Sequence, residues 1–537
     1  MLRYFNNFIK KIKNLTIKNY STNEDPLFIP EENYTSSVLS NKLDSNVTLI
    51  KTYLGHSVDL KVRSFLIPTV PSIGASVVFL DTMVEDQLLE SSVIAPLTTG
   101  LSLHSEDERA SLSIHIDSLI EKALSNSLVN SYENVTDVID QILLGQGILL
   151  IDNYSKGISI KINRGPLRDF AEPKTEKVIK GPQQGFVEDI DVNVSMIRKK
   201  IKSSNLVVNQ CKIGKESRSE LRVIYLNNIA DSSIVEELFQ RLDRINIDGL
   251  INSSSIEECL TDSPSNLFQT TFCTERPDRT ASLLLEGRIA LLFDGSPIVI
   301  IVPSIISDFF ISTEDYYQNP YFATFSRFIG YIGAFMLTFF PSIYIAITTF
   351  HQEVLPTRLA LTIAGARSGV PFPAFLEALL MEIAFESLRQ AGTRLPTHVG
   401  QAVSIVGALI IGQAAVEAGL VSSAVVIVVA ITAIFSFTIP YTNFSLSLRL
   451  TRFFMMALAA TLGIYGIMTG AFMLALNLIS LRSFGVPFMV PFAPLSLQDL
   501  KDWFVRFPQW SITKRSSHIV KGNNSRKSRN MKPNPPN

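Results

Sequence analysis

Residues 328–350 read FIGYIGAFMLTFFPSIYIAITTF, 23 positions without a charged side chain. A helix of that length spans the ~30 Å hydrocarbon core of a bilayer. Pro341 lies inside it and predicts a kink. Two more apolar stretches, 401–416 and 420–440, are parted by Glu417-Ala418-Gly419 and predict a helical hairpin. Residues 453–481 add 29 positions, enough to span with tilt. Those four are the expected spans. A fifth candidate, 374–388, carries three carboxylates. A sixth, 484–495, is broken by Pro487, Pro491 and Pro494 and reads as re-entrant or interfacial.

Working outward, the charge distribution divides the chain in two. It has 537 residues, room for two or three domains, with 48 Lys and Arg against 49 Asp and Glu. Only 12 of these charges fall between 321 and 480. The net charge of −1 excludes a protein built around nucleic-acid phosphates. Hydrophobic residues make up 46%, and the mean hydropathy is +0.24, high for a soluble enzyme.

The front half has mixed texture. Strands are expected at 58–67, 75–80, 147–152 and 157–162, with helices at 82–94, 107–125 and 134–144. They make a first α/β subdomain over 51–165. Glycine-proline punctuation marks a linker at 166–190. A second α/β subdomain follows over 191–320, with strands at 206–213 and 220–226 and two apolar strands around the turn Asp294-Gly295-Ser296-Pro297. The expected fold is therefore an α/β cytosolic N-terminal region of two subdomains plus an α-helical polytopic membrane domain, 321–496, of four to six spans. Residues 1–50 read as a basic amphipathic or disordered segment, and 497–537 as a basic cytoplasmic tail. Nine Lys or Arg and one acid between 501 and 532 place that tail inside by the positive-inside rule. The front half shows no export signal and belongs on the same side, so the crossings must be even in number. The sequence leaves that number open.

No catalytic signature is present. The three cysteines, Cys211, Cys259 and Cys273, have no CxxC spacing. The six histidines are scattered, and neither HExxH nor a phosphate-binding GxxxxGK[ST] occurs. The chain reads as a non-enzyme with no cofactor and no metal site.

The stretch most open to function is VPFPAFLEALLMEIAFESLRQ, 370–390. Pro371 and Pro373 suit the start of a helix. At 100° per residue Glu382, Glu386 and Arg389 share an arc of about 60°, with Leu376, Leu379, Leu380 and Ile383 opposite. Glu386 and Arg389, three apart, are placed to pair. Such a face is costly against lipid. Two readings fit: a helix lining an ion path in an assembled oligomer, or a helix flat on the membrane with its charges among headgroups. In the first, Glu382, Glu386 and Arg389 are pore-lining, and Val370 and Phe372 are candidate hydrophobic gate residues. Gly466 and Gly470 form a GxxxG, a spacing that lets helix backbones approach closely.

A set of longer blocks resembles the A subunits of bacterial spore germination receptors, the GerA family. They are KGP at 180–182, FVEDI at 186–190, NLVV at 205–208, TERPD at 274–278, LEGR at 285–288, DGSP at 294–297, EDYY at 314–317, TFHQE at 349–353, GVPFPAF at 369–375, QAVSIVG at 401–407, GQAAVEAG at 412–419 and SLRSFGVPF at 480–488. The match covers roughly 180–495 and is weak over 1–160. The resemblance implies a nutrient germinant receptor in the inner spore membrane with both termini on the core side. It implies B and C subunits as partners, clusters with other germination proteins, and a homo-oligomeric, ligand-gated cation channel. It names neither the germinant nor its binding residues. Two alternatives stand beside it: a secondary transporter, and a membrane-anchored scaffold subunit.

Overall fold

The computed structural model describes residues 38–68, 72–99, 129–162, 172–394, 412–496, 499–512, 514–522 and 525–526. The expected amphipathic segment before 38, the helix at 107–125, most of the stretch 401–416 and the end of the tail lie outside these.

Helix α1 (Leu43–Tyr53) opens the first unit and crosses the division drawn at residue 50. Its Ile50 is buried with Leu39 and Leu54 against the sheet. Strands β1 (Leu60–Ile67) and β2 (Ile73–Leu80) form a hairpin in continuous register from Leu60↔Leu80 to Ile67↔Ile73. Strand β3 (Val129–Tyr132), helix α2 (Val135–Leu143), β4 (Gly147–Ile151) and β5 (Gly157–Ile160) complete a sheet of order β1-β2-β4-β5-β3, antiparallel throughout.

The second unit repeats that plan. Helix α3 (Ile190–Lys200) precedes the hairpin β6 (Leu206–Ile213) and β7 (Ser219–Leu226). Helices α4 (Ser232–Arg244) and α5 (Ser253–Leu260) lead to β8 (Phe272–Thr274). Then α6 (Pro277–Leu284), β9 (Ile289–Phe293) and β10 (Val299–Val302) follow. The order is β6-β7-β9-β10-β8, again antiparallel. Counting strands within each unit, both sheets run 1-2-4-5-3. The sequence reading did not detect this repetition, because the two units share a topology and not a motif.

A buried pair joins the units. Arg198 of α3 donates to both Asp59 carboxylate oxygens at 2.9 Å and to the Ser57 hydroxyl at 2.9 Å. Ser57 also accepts from the Val208 amide, so the segment entering the first sheet is stitched onto β6.

The helical part starts with α7 (Pro320–Thr349), 30 residues with Asn319 capping its N-terminus and Pro341 inside. Then come α8 (Thr357–Arg367), α9 (Ala374–Arg394) and α10 (Ser423–Ser436). The stretch 453–481, expected as one tilted span, is two helices: α11 (Thr442–Leu462) and α12 (Ile464–Ser480). Gly463, at φ +62°, reverses the chain between them. Their packing shows why glycine is needed there. A Cβ on Gly466 would lie 2.6 Å from the Leu458 carbonyl carbon, and one on Gly470 would meet the Met455 sulfur at 2.5 Å. The GxxxG is thus a close seam within one hairpin. Among the described residues α7 and α11 are long and apolar enough to cross a bilayer, and α10 and α12 are shorter apolar helices.

The helical part is seated on the second unit. Tyr441 and Phe444, at the start of α11, pack with Phe272 of β8 and with Phe309. Near the end of α12, Asn477 bonds Asn266 at 2.7 Å. The opposite end of the hairpin, at Gly463, meets His351 just beyond the end of α7. Residues 484–495 do not span. Phe488 and Val490 are fully buried in the core of the second unit, and the Ile306 amide bonds the Phe488 carbonyl. The tail is likewise docked: Ile519 and Val520 are buried, with Val520 against Gly287.

Candidate functional site

Helix α9 buries two of its carboxylates and exposes part of its apolar side. Glu377 and Glu382 are 0% and 2% exposed, whereas Leu380 and Ile383 are 45% and 50% exposed. Glu377 and Glu382 thus turn toward the neighbouring helices, where buried carboxylates need partners.

Three carboxylates descend α9, each met by an arginine. Glu377, which the helical arc sets apart, receives Arg367 Nε of α8 at 3.2 Å and the Ser422 amide at 3.0 Å. Glu382 pairs with Arg452 Nη2 of α11 at 2.7 Å and accepts from Thr432 Oγ1 of α10 at 3.3 Å. Glu386 pairs with Arg389 on its own helix, as the spacing predicted, and with Arg449 Nη1 of α11 at 3.1 Å. Three helices, α8, α9 and α11, therefore meet through ion pairs, with α10 joined by the Thr432 hydrogen bond, in a region with few other charges. In such surroundings each charge must be paired, since isolated charges in low dielectric are costly.

The sequence reading missed the arginines as partners. A signal was available: Arg449 and Arg452 are three apart on one helical face, and Glu382 and Glu386 are four apart on another. The Nε atoms of both arginines are buried without a hydrogen-bond partner, so donor capacity remains. A cavity of about 1340 Å³ lies alongside, with Glu382, Glu386, Arg389, Arg449 and Arg452 on its wall and apolar residues of α10 facing them.

Val370 and Phe372 sit elsewhere. Both are half-buried in the short connection between α8 and α9, outside that cavity. The structure brings Glu382, Glu386 and Arg389 together and leaves these two apart. Among the described residues no group of His, Cys, Asp and Glu has metal-binding geometry. The three cysteines are unbonded to one another.

The family described as Bacillus/Clostridium GerA spore germination protein matches residues 48–518. The chain belongs to this family. It is a membrane protein of a receptor family and not an enzyme. Spore germination protein KA of Bacillus subtilis (strain 168) is 39% identical over 498 residues, 93% of this chain and 90% of the relative. Spore germination protein B1 of the same organism is 35% identical over 89% of this chain and 97% of its own length. YfkQ, also of Bacillus subtilis and described as an uncharacterized membrane protein, is 37% identical over 83% of this chain and 86% of its own length. A crystal structure of the N-terminal domain of the A subunit of the Bacillus megaterium spore germinant receptor GerK3 aligns with a TM-score of 0.40 and 28% identity, over 51% of this chain and 98% of that one. The family resemblance drawn from the sequence blocks thus holds, and it reaches further toward the N-terminus than those blocks did.

Proposed function

We propose that this chain is the A subunit of a nutrient germinant receptor in the inner membrane of the dormant spore, acting with B and C subunits. In this reading its helical part assembles into a ligand-gated path for monovalent cations. The observation that carries it is the inward acidic face of α9, with Glu382 and Glu386 beside a large cavity and each held by an arginine of α11. Arg449 and Arg452 act as tethered counter-ions of a closed packing. Opening would move α11 relative to α9, release the carboxylates to water and leave them to favour cations. A germinant-bound partner needs only to bind the open packing better than the closed one. Val370 and Phe372, in the connection between α8 and α9, are the gate in this scheme.

The test is ion flux through the reconstituted receptor. Glu382→Gln with Glu386→Gln should lower conductance and cation preference; unchanged values remove the pore assignment. Enlarging or shrinking Val370 should alter spontaneous opening, and a silent result there removes it from the gate.

A further inference from the structure

A second cavity, of about 480 Å³, lies where the second α/β unit, the approach to α7 and the C-terminal tail converge. Its wall carries six cations: Arg279, Arg288, Lys501, Lys514, Arg515 and Arg526. Four carboxylates share the wall, and each is already engaged. Asp308 receives Arg288. Asp502 receives Arg327, which lies outside the wall. Glu286 pairs with Arg526, and Asp499 accepts from the Ser516 hydroxyl. The donors are not used up. Arg279 and Arg288 are 3% and 1% exposed, and the Nε of each has no hydrogen-bond partner. Trp503, on the same wall, buries an Nε1 that is also without one. Every unpartnered buried side-chain atom among the described lining residues is a donor. A cavity with spare donors, satisfied acceptors and surplus positive charge is complementary to an acceptor-rich anion. Burial, and then the neighbouring Arg526, push the Arg515 guanidinium below its ordinary value.

We propose that this cavity binds a phosphate group, which would tie the C-terminal tail to the second α/β unit and to the start of the first span. A phosphate group brings between one charge (a diester) and nearly two (a monoester) with two or three acceptor oxygens at neutral pH, a range that an excess of two cations accommodates. The group has two possible sources, a soluble phosphate compound or the headgroup of an anionic lipid, because Asp502 and Trp503 on the wall bond Arg327 and Tyr331 of α7. The proposal is independent of the channel reading.

The chain has two tryptophans, Trp503 and Trp510, so Trp510→Phe makes Trp503 the sole reporter. The full-length variant in detergent is titrated with inorganic phosphate against sodium chloride of equal ionic strength. In parallel, in phosphate-free buffer, it is placed in nanodiscs of zwitterionic phosphatidylcholine with or without anionic phosphatidylglycerol. A saturable emission change with phosphate assigns a soluble source, and a change only with phosphatidylglycerol assigns the lipid. In either arm Arg515→Gln should weaken the response tenfold or more. Because Arg515 also donates to the Leu285 and Ser525 carbonyls, exposed Lys514→Gln serves as a second variant, expected to weaken it several-fold. No saturable response in either arm, a response reproduced by chloride, or one that neither variant alters overturns the proposal.

Discussion

Replacing Arg452 with methionine keeps a long apolar side chain in place but leaves Glu382 buried with only Thr432 to bond it. The pair is 2.7 Å apart with side-chain exposures of 3% and 2%, so solvent screening offers no discount. Two unit charges about 4 Å apart at an effective dielectric near 20 attract by about 4 kcal/mol. Removing one partner of a buried pair typically costs about 3–5 kcal/mol, since the other charge is stranded. Arg452→Met and Glu382→Leu should each lose stability in that range. The double variant, which strands nothing, should lie within about 1 kcal/mol of the parent. Arg389→Met is the control: its side chain is 29% exposed, and about 1 kcal/mol or less is expected. Reversible unfolding of the full chain in mixed micelles reads all four. Single variants that cost under ~1 kcal/mol, or a double variant that costs the sum of the singles, would refute the argument that this pair neutralises the interior of the bundle.

Other variants probe other joints. Gly466→Ala should destabilise the α11–α12 hairpin by about 1–3 kcal/mol, because its new methyl meets backbone at Leu458; Gly470→Ala should cost less, since it meets flexible side-chain ends. Thermal unfolding that reverses that order would contradict the packing. Arg198→Met strands Asp59 between the two α/β units and should cost about 3–5 kcal/mol, seen as an earlier unfolding transition of the N-terminal α/β region. Glu176 is held by Thr274 Oγ1 at 2.8 Å beside β8, and burial pushes its carboxyl from 4.5 up to about 7. Between those values the folded state keeps a proton that the unfolded chain has lost. Stability should therefore fall as pH rises across that window, by up to about 3 kcal/mol. Glu176→Gln should flatten the slope when unfolding midpoints at pH 5 and pH 7.5 are compared, and a slope that survives the substitution rules Glu176 out as its source.

Much of the architecture was readable locally. A long run without charge, the charge split near residue 321 and the 100° arc of Glu382, Glu386 and Arg389 are properties of neighbouring residues. They determined the apolar helical half, the mixed α/β half and the common face of those three side chains, because helix periodicity and hydrocarbon thickness act over short stretches of chain. The identity of what meets that face was not local. Glu382 finds Arg452 only because the fold packs α11 alongside α9, and Gly463 then folds α12 back onto α11. A glycine inside an apolar run reads equally well as a seam or as a reversal. The duplicated strand order, the docking of 484–495 onto the second unit and the burial of Ile519 and Val520 depend on the same kind of pairing. Hydrophobic pattern states that a residue will be covered, and chain topology decides by what: burial is favoured against any apolar surface, whereas a buried charge is tolerated only against the one partner that the fold delivers.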